Sequence, residues 1–147
     1  MSLLSNALGE GSIILDAQAG NWEAAVRLAG DGLVASGRTT QKYTDDMVAA
    51  VHQLGPYIVI GPGLAMPHTR PSENVLQTGL SLVVLQQPVE FGHKRNDPVH
   101  VLFGLAALDH DRHLEILSEF ASHASDPNFI NSLLTCSSVA QIRSLIN

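Results

Sequence analysis

Val99-His100-Val101-Leu102-Phe103-Gly104-Leu105-Ala106-Ala107-Leu108 is the stretch whose reading decides the fold. Its leucines and alanines suit a buried helix, whereas its β-branched opening suits a strand. Asp97-Pro98 stands immediately before it and favours the strand, because the residue preceding a proline is pushed into extended conformations. A run so continuously apolar must then be covered on both faces, which makes it a central strand. Thr78 to Leu85 is a second run of the same kind.

Working outward, Tyr57 to Ile60 is β-branched and aromatic and is expected to be a buried strand. Leu64 to Met66 is a short extended piece, and Ser12 to Leu15 an opening edge strand. Helical spacing appears elsewhere. Asn21 reads as an N-cap before Trp22, Ala25, Val26, Ala29 and Leu33, with the helix ending at Gly37. Gln41 to Leu54 forms a second helix through Met47, Val48 and Val51, stopped by Gly55-Pro56. Asp109 to Ser125 is amphipathic, with Leu114, Leu117, Phe120, Ala121 and Ala124 assigned to one side. Asp126-Pro127 is read as the cap and first residue of a helix through Asn128 to Leu134, and Ser138 caps a last helix to Ile146. Helices before, between and after apolar strands predict one α/β domain over residues 1–147. It is a three-layer arrangement, a mixed β-sheet flanked by helices on both faces.

The 147 residues suffice for one sizeable core, and a hydrophobic fraction of 45% is that of a folded globular protein. A formal charge of -6 and the lack of basic stripes argue against nucleic acid. No secretory signal opens the chain, and its apolar runs are too short or interrupted to insert in a bilayer. The single cysteine, Cys136, excludes an internal disulfide framework, fits a reducing cytoplasm and is expected to be a small buried hydrophobe.

Chemistry concentrates around Gly61-Pro62-Gly63-Leu64-Ala65-Met66-Pro67-His68-Thr69-Arg70-Pro71. Its prolines and glycines make a rigid turn, able to hold His68 where a partner reaches its ring; an ordinary surface turn is the plain alternative. Seven histidines invite a metal site, and His110 and His113 share a helical face. There is no His-Glu-x-x-His arrangement, however, and Cys136 has no paired cysteine, so neither metal nor cofactor is expected. His93 falls in a charged turn, His100 near a strand start and His123 on a helix surface. A reactive imidazole needs a free nitrogen, a partner fixing its tautomer and donors for developing negative charge. His68 meets the first requirement locally; His113, near a helix start, is able to approach it; Arg70 is either a charge clamp or half of a surface ion pair. No serine-nucleophile elbow, P-loop or complete dinucleotide fingerprint is present.

Gly63-Leu64-Ala65-Met66-Pro67-His68 resembles the Gly-x-Ala-x-Pro-His phosphorylation motif of phosphotransferase-system IIA domains of the mannitol/fructose class. Asp109 to Leu117 is similar to the segment carrying that family's second active-site histidine, and Pro88 to Phe91 and Asn96 to Val99 resemble its loop and following strand. Gln53 to Ile60 followed by Pro62 to Pro71 looks like the ascorbate-specific branch. The resemblance implies that His68 accepts a phosphoryl group from phosphorylated HPr and passes it to a cysteine of a cognate IIB component, with a membrane IIC permease in the wider system. His113 would stabilise the phosphoryl oxygens. Mannitol, fructose and nitrogen-regulatory members usually carry arginine sixteen positions before the phosphorylated histidine, where this chain has His52. Either His52 or Arg70 then takes over the clamp, with Arg70 favoured because a guanidinium is always charged. The rival reading is a regulatory module whose phosphorylation state controls another protein. Leu64, Met66 and Val75 are either docking surface or core, and a dimer remains open.

Overall fold

The computed structural model describes residues 3–147. Along the chain the elements are α1 (Leu3–Ala7), β1 (Leu8–Ala17), α2 (Trp22–Ala35), α3 (Gln41–Leu54), β2 (Val59–Gly61), β3 (Leu64–Ala65), β4 (Gly79–Val89), β5 (Val99–Ala106), α4 (His110–Ala124), α5 (Phe129–Thr135) and α6 (Val139–Ile146). The strands form one mixed sheet in the order β1-β4-β5-β3-β2. β5 runs antiparallel to β4 and parallel to β3. It is therefore the strand that the Asp97-Pro98 argument requires, and β4 and β5 occupy the sheet interior as their continuous apolarity predicts.

Two hydrophobic clusters lie on opposite faces of this sheet. One packs α2 and α3 through Val26, Leu33, Met47 and Val51 against Val83, Leu85 and Leu102. The other packs α1 and α4 to α6 through Leu4, Ile116, Phe120, Leu133 and Ile142 against Leu80, Leu82 and Phe103. Each such side chain, fully buried, contributes about 1.5–3 kcal/mol. Phe103 meets Phe120 edge-on at 4.9 Å and stacks with Phe129 at 6.2 Å, which fixes α4 and α5 on β5.

Helix α2 approaches its neighbours unusually closely, and two glycines permit it. A Cβ on Gly30 would overlap the Thr44 side chain of α3, and one on Gly32 would stand 2.8 Å from the Ser81 Cβ of β4. Asn21 caps α2 by accepting from the Ala24 N–H at 2.8 Å, and Ser138 caps α6 by accepting from Gln141, both as expected. α3 stops at Gly55, whose φ of 85° ends the helix.

Several boundaries differ from the sequence reading. β1 is an edge strand but runs the longer span given above. β2 is a short edge strand: Ile58 and Val59 are buried as expected, whereas Tyr57 and Ile60 are exposed. α5 begins at Phe129, with Asp126 instead closing a turn in which its carboxylate accepts from the Asn128 N–H. On α4, Phe120 is buried and Leu117 and Ala124 pack against the second cluster as assigned; Ile116 is also buried, while Leu114 is half exposed and Ala121 exposed. Leu64, Met66 and Val75 are core, not docking surface. Cys136 is only partly buried, at the rim of the second cluster. The charged turn holding His93 is organised by Asp97, whose carboxylate accepts from the Phe91, Gly92 and His93 N–H groups.

Candidate functional site

The parallel pairing of β3 with β5 places the site. Leu64 lies beside Val101 and Ala65 beside Leu102, so both strands end on the same side of the sheet. The chain leaves β3 through Met66-Pro67-His68, and leaves β5 toward the start of α4. His68 and His113 are thus carried to one place by the carboxyl ends of parallel strands, the usual location of ligand sites in α/β sheets. Their ring centroids are 5.6 Å apart at an interplanar angle of 68°. Both line a cleft of about 770 Å³ between α3 and α4, together with Tyr57, Arg70, His110 and Leu114.

The His68 turn is held by its backbone. Ile58 C=O accepts from the Met66 N–H at 2.7 Å, and Pro67 C=O accepts from the Leu105 N–H at 2.9 Å. Tyr43, buried on α3, donates its hydroxyl to the Leu105 carbonyl at 2.7 Å and accepts from the Thr69 N–H at 3.2 Å. Burial pushes its phenol up to about 12, so it stays protonated across ordinary pH. Tyr43→Phe leaves the buried Leu105 carbonyl and the part-buried Thr69 N–H without this partner and is expected to cost about 1–3 kcal/mol in chemical denaturation. An unchanged denaturation midpoint would show that the hydroxyl does not hold the turn.

The imidazole itself has a defined orientation. His68 Nδ1 lies 2.7 Å from the Met66 carbonyl oxygen. A carbonyl only accepts, so Nδ1 carries the proton and the neutral ring keeps its lone pair on Nε2. The ring is partly exposed, so this nitrogen is presented at the cleft. His113 is held below its ordinary histidine value, first by desolvation and then by the charges of His68 and His110. It is therefore biased toward a neutral ring.

The expected residues divide. His68, His113 and Arg70 all line the cleft. His52 does not: its Nε2 pairs with Glu23 Oε1 at 2.7 Å and its ring meets Trp22 at 4.9 Å, so it faces α2. Of the two alternatives for the pocket edge, Arg70 stands there and His52 does not; the α3 residues that line the cleft are Asp46, Ala49, Ala50, Gln53 and Leu54. Arg70 is exposed and enters no ion pair among the described residues. Two contributors escaped the sequence reading. Tyr43 was legible only as a helical residue, and Tyr57 only as the start of a strand. Among the described residues no three His, Cys, Asp or Glu side chains converge as a metal site, and no helix is long and apolar enough to cross a membrane.

The fold and the paired imidazoles define an α/β domain that presents two facing histidines in a cleft at the carboxyl ends of parallel strands. The chain belongs to the phosphoenolpyruvate-dependent sugar phosphotransferase system EIIA 2 family, whose model matches residues 6–147. It is 39% identical over 148 residues to the ascorbate-specific PTS system EIIA component of Salmonella choleraesuis (strain SC-B67), covering 100% of this chain and 96% of that protein. A putative PTS IIA domain from Streptococcus pyogenes superimposes with a TM-score of 0.88 at 32% identity, covering 99% of this chain and 95% of the other. IIA of mannitol in its complex with phosphorylated IIB, from Escherichia coli, gives a TM-score of 0.82 at 26% identity, covering 95% of this chain and 96% of the other. The general role follows from the family: a phosphocarrier that forms a phosphohistidine intermediate within a system of HPr, IIB and IIC components.

Proposed function

We propose that this protein carries phosphate for ascorbate uptake, accepting it on His68 Nε2 from phosphorylated HPr and delivering it to the cysteine of an ascorbate IIB component. The observation that supports this most directly is the Nδ1–H bond to the Met66 carbonyl, which leaves Nε2 as the nucleophile. The likeness to an ascorbate-specific EIIA component over the whole chain supports the substrate.

In the first step the Nε2 lone pair forms a bond to phosphorus, and the phosphorus–nitrogen bond of the donor breaks with its electron pair returning to the donor imidazole. His113 donates a ring N–H to the phosphoryl oxygens, and Arg70 balances their charge. The Met66 carbonyl stabilises the Nδ1 proton as the His68 ring gains positive character. In the second step a IIB thiolate attacks phosphorus and Nε2 recovers its electron pair. His52, turned toward Glu23, leaves Arg70 as the clamp.

Incubation of the phosphorylated protein with an ascorbate IIB component tests the reading. Phosphate is expected to leave this protein and appear on the IIB cysteine. Retention of the label, together with a changed affinity for a regulatory protein, would favour the regulatory module instead.

A further inference from the structure

Tyr57 is placed against His68 by strand register. β2 and β3 are antiparallel, with Val59 opposite Ala65, and the Ile58 carbonyl accepts from the Met66 N–H. Continuing that register outward brings Tyr57 level with Pro67 and His68. The next hydrogen-bonded pair outward would join Pro56 to His68, and Pro56 has no N–H to give the His68 carbonyl. A side chain takes its place: the Tyr57 hydroxyl donates to the His68 carbonyl at 2.6 Å. The same phenol ring meets the His68 imidazole edge-on at 5.3 Å, with an interplanar angle of 82°. The turn before β2 sets this direction, with the Tyr57 N–H bonded to Gly55 C=O and the Val59 N–H to Pro56 C=O.

His68 is therefore gripped at two points by one residue, at its backbone carbonyl and along its ring, while Met66 holds Nδ1. The two grips act on different freedoms. The hydroxyl limits movement of the turn, and the ring limits rotation of the imidazole about its side-chain bonds. Both must hold for Nε2 to keep facing the cleft, because a half-turn of the ring about its Cβ–Cγ bond would put Cδ2 in the place of Nδ1 and Cε1 in the place of Nε2, and so break the bond to Met66.

We propose that Tyr57 is a positioning residue that locks the His68 imidazole in its Nδ1-protonated, Nε2-nucleophilic orientation. The proposal rests on the reading of His68 as phosphoryl acceptor. It goes beyond that reading in assigning the lock to a residue outside the paired histidines. The role assigned to Tyr57 is exerted through the geometry of its neighbour, by way of the His68 carbonyl and ring.

The test compares Tyr57→Phe and Tyr57→Leu with the unaltered protein, following the ring-nitrogen NMR shifts of His68 and the rate of phosphorylation by phosphorylated HPr across pH. Tyr57→Phe keeps the ring contact and loses one partly exposed hydrogen bond, so its rate is expected to fall by up to about tenfold. Tyr57→Leu loses both grips and is expected to fall by about 100-fold, the scale of a misplaced reacting group, with signals of the Nε2-protonated tautomer appearing. A purely structural role would lower the melting temperature yet leave the tautomer and the rate per folded molecule unchanged, and that result overturns the proposal. Should Tyr57→Leu fail to fold, a Tyr57→Phe protein with unaltered His68 shifts and unaltered rate overturns it equally. The two readings separate cleanly. Labelling that survives His68→Ala refutes the acceptor, whereas labelling lost in His68→Ala but normal in both Tyr57 variants refutes only the lock.

Discussion

His68→Ala protein, incubated with phosphorylated HPr, is expected to take up no acid-labile phosphate. The loss should be complete rather than partial, because the substitution removes the only atom assigned to bond with phosphorus. A neighbouring imidazole is an inadequate substitute. His113 lacks the carbonyl that fixes the His68 tautomer, and its proton affinity is already lowered by burial and by two nearby rings. The fold should survive. His68 is partly exposed, and the residues flanking it keep their backbone bonds to Ile58 and Leu105. Unchanged circular dichroism with no label is therefore the expected pair of results. Full labelling of the variant would reject His68 as the acceptor.

His113 should produce the second largest effect. Donors aimed at developing negative charge are typically worth 10²–10³ in rate, so His113→Ala is expected to slow phosphorylation by about 100-fold. His113→Gln, which keeps an N–H but cannot be protonated, should recover part of that loss and flatten the dependence of rate on pH. Equal rates for all three proteins would remove His113 from the mechanism. The same residue has a consequence for stability. Its affinity for a proton is lower in the folded state than the ordinary value of 6.5, so below 6.5 the unfolded chain binds more protons at this position. Stability should rise with pH between the lowered folded value and 6.5, and fall as pH drops through that window. His113→Gln should remove this part of the slope in denaturation experiments. Phosphorylation reverses the sign of the local field: a phosphoryl dianion beside His113 favours its protonated form, so NMR titration of the labelled protein should show the ring titrating at higher pH than in the unlabelled one.

Much of the fold was legible because it depends on local rules. Asp97-Pro98 resolved the strand that became β5, Asn21 and Ser138 marked helix starts with working side-chain caps, and Gly55 stopped α3; Asp109, read as the first residue of its helix, is instead its cap. Ile60 and Leu114 misled for a shared reason. Their residue types suit burial, but exposure depends on whether another element covers that face, and none does. The choice between His52 and Arg70 was left open by sequence position, with Arg70 favoured for its permanent charge; the fold separates them, because His52 pairs with Glu23 of α2 at 2.7 Å while Arg70 lines the cleft.

The amino-acid order by itself determined that strands and helices alternate into one α/β layer structure and that one histidine sits in a rigid turn, since periodicity, proline, glycine and caps act between near neighbours. Only the tertiary structure decided that His113 faces His68, that Nδ1 is engaged, and that Tyr43 and Tyr57 hold the turn. The histidine pair and the tyrosine contacts join residues 11 to 62 positions apart across paired strands and packed helices, and such distances are set by sheet order and register, which no local pattern encodes.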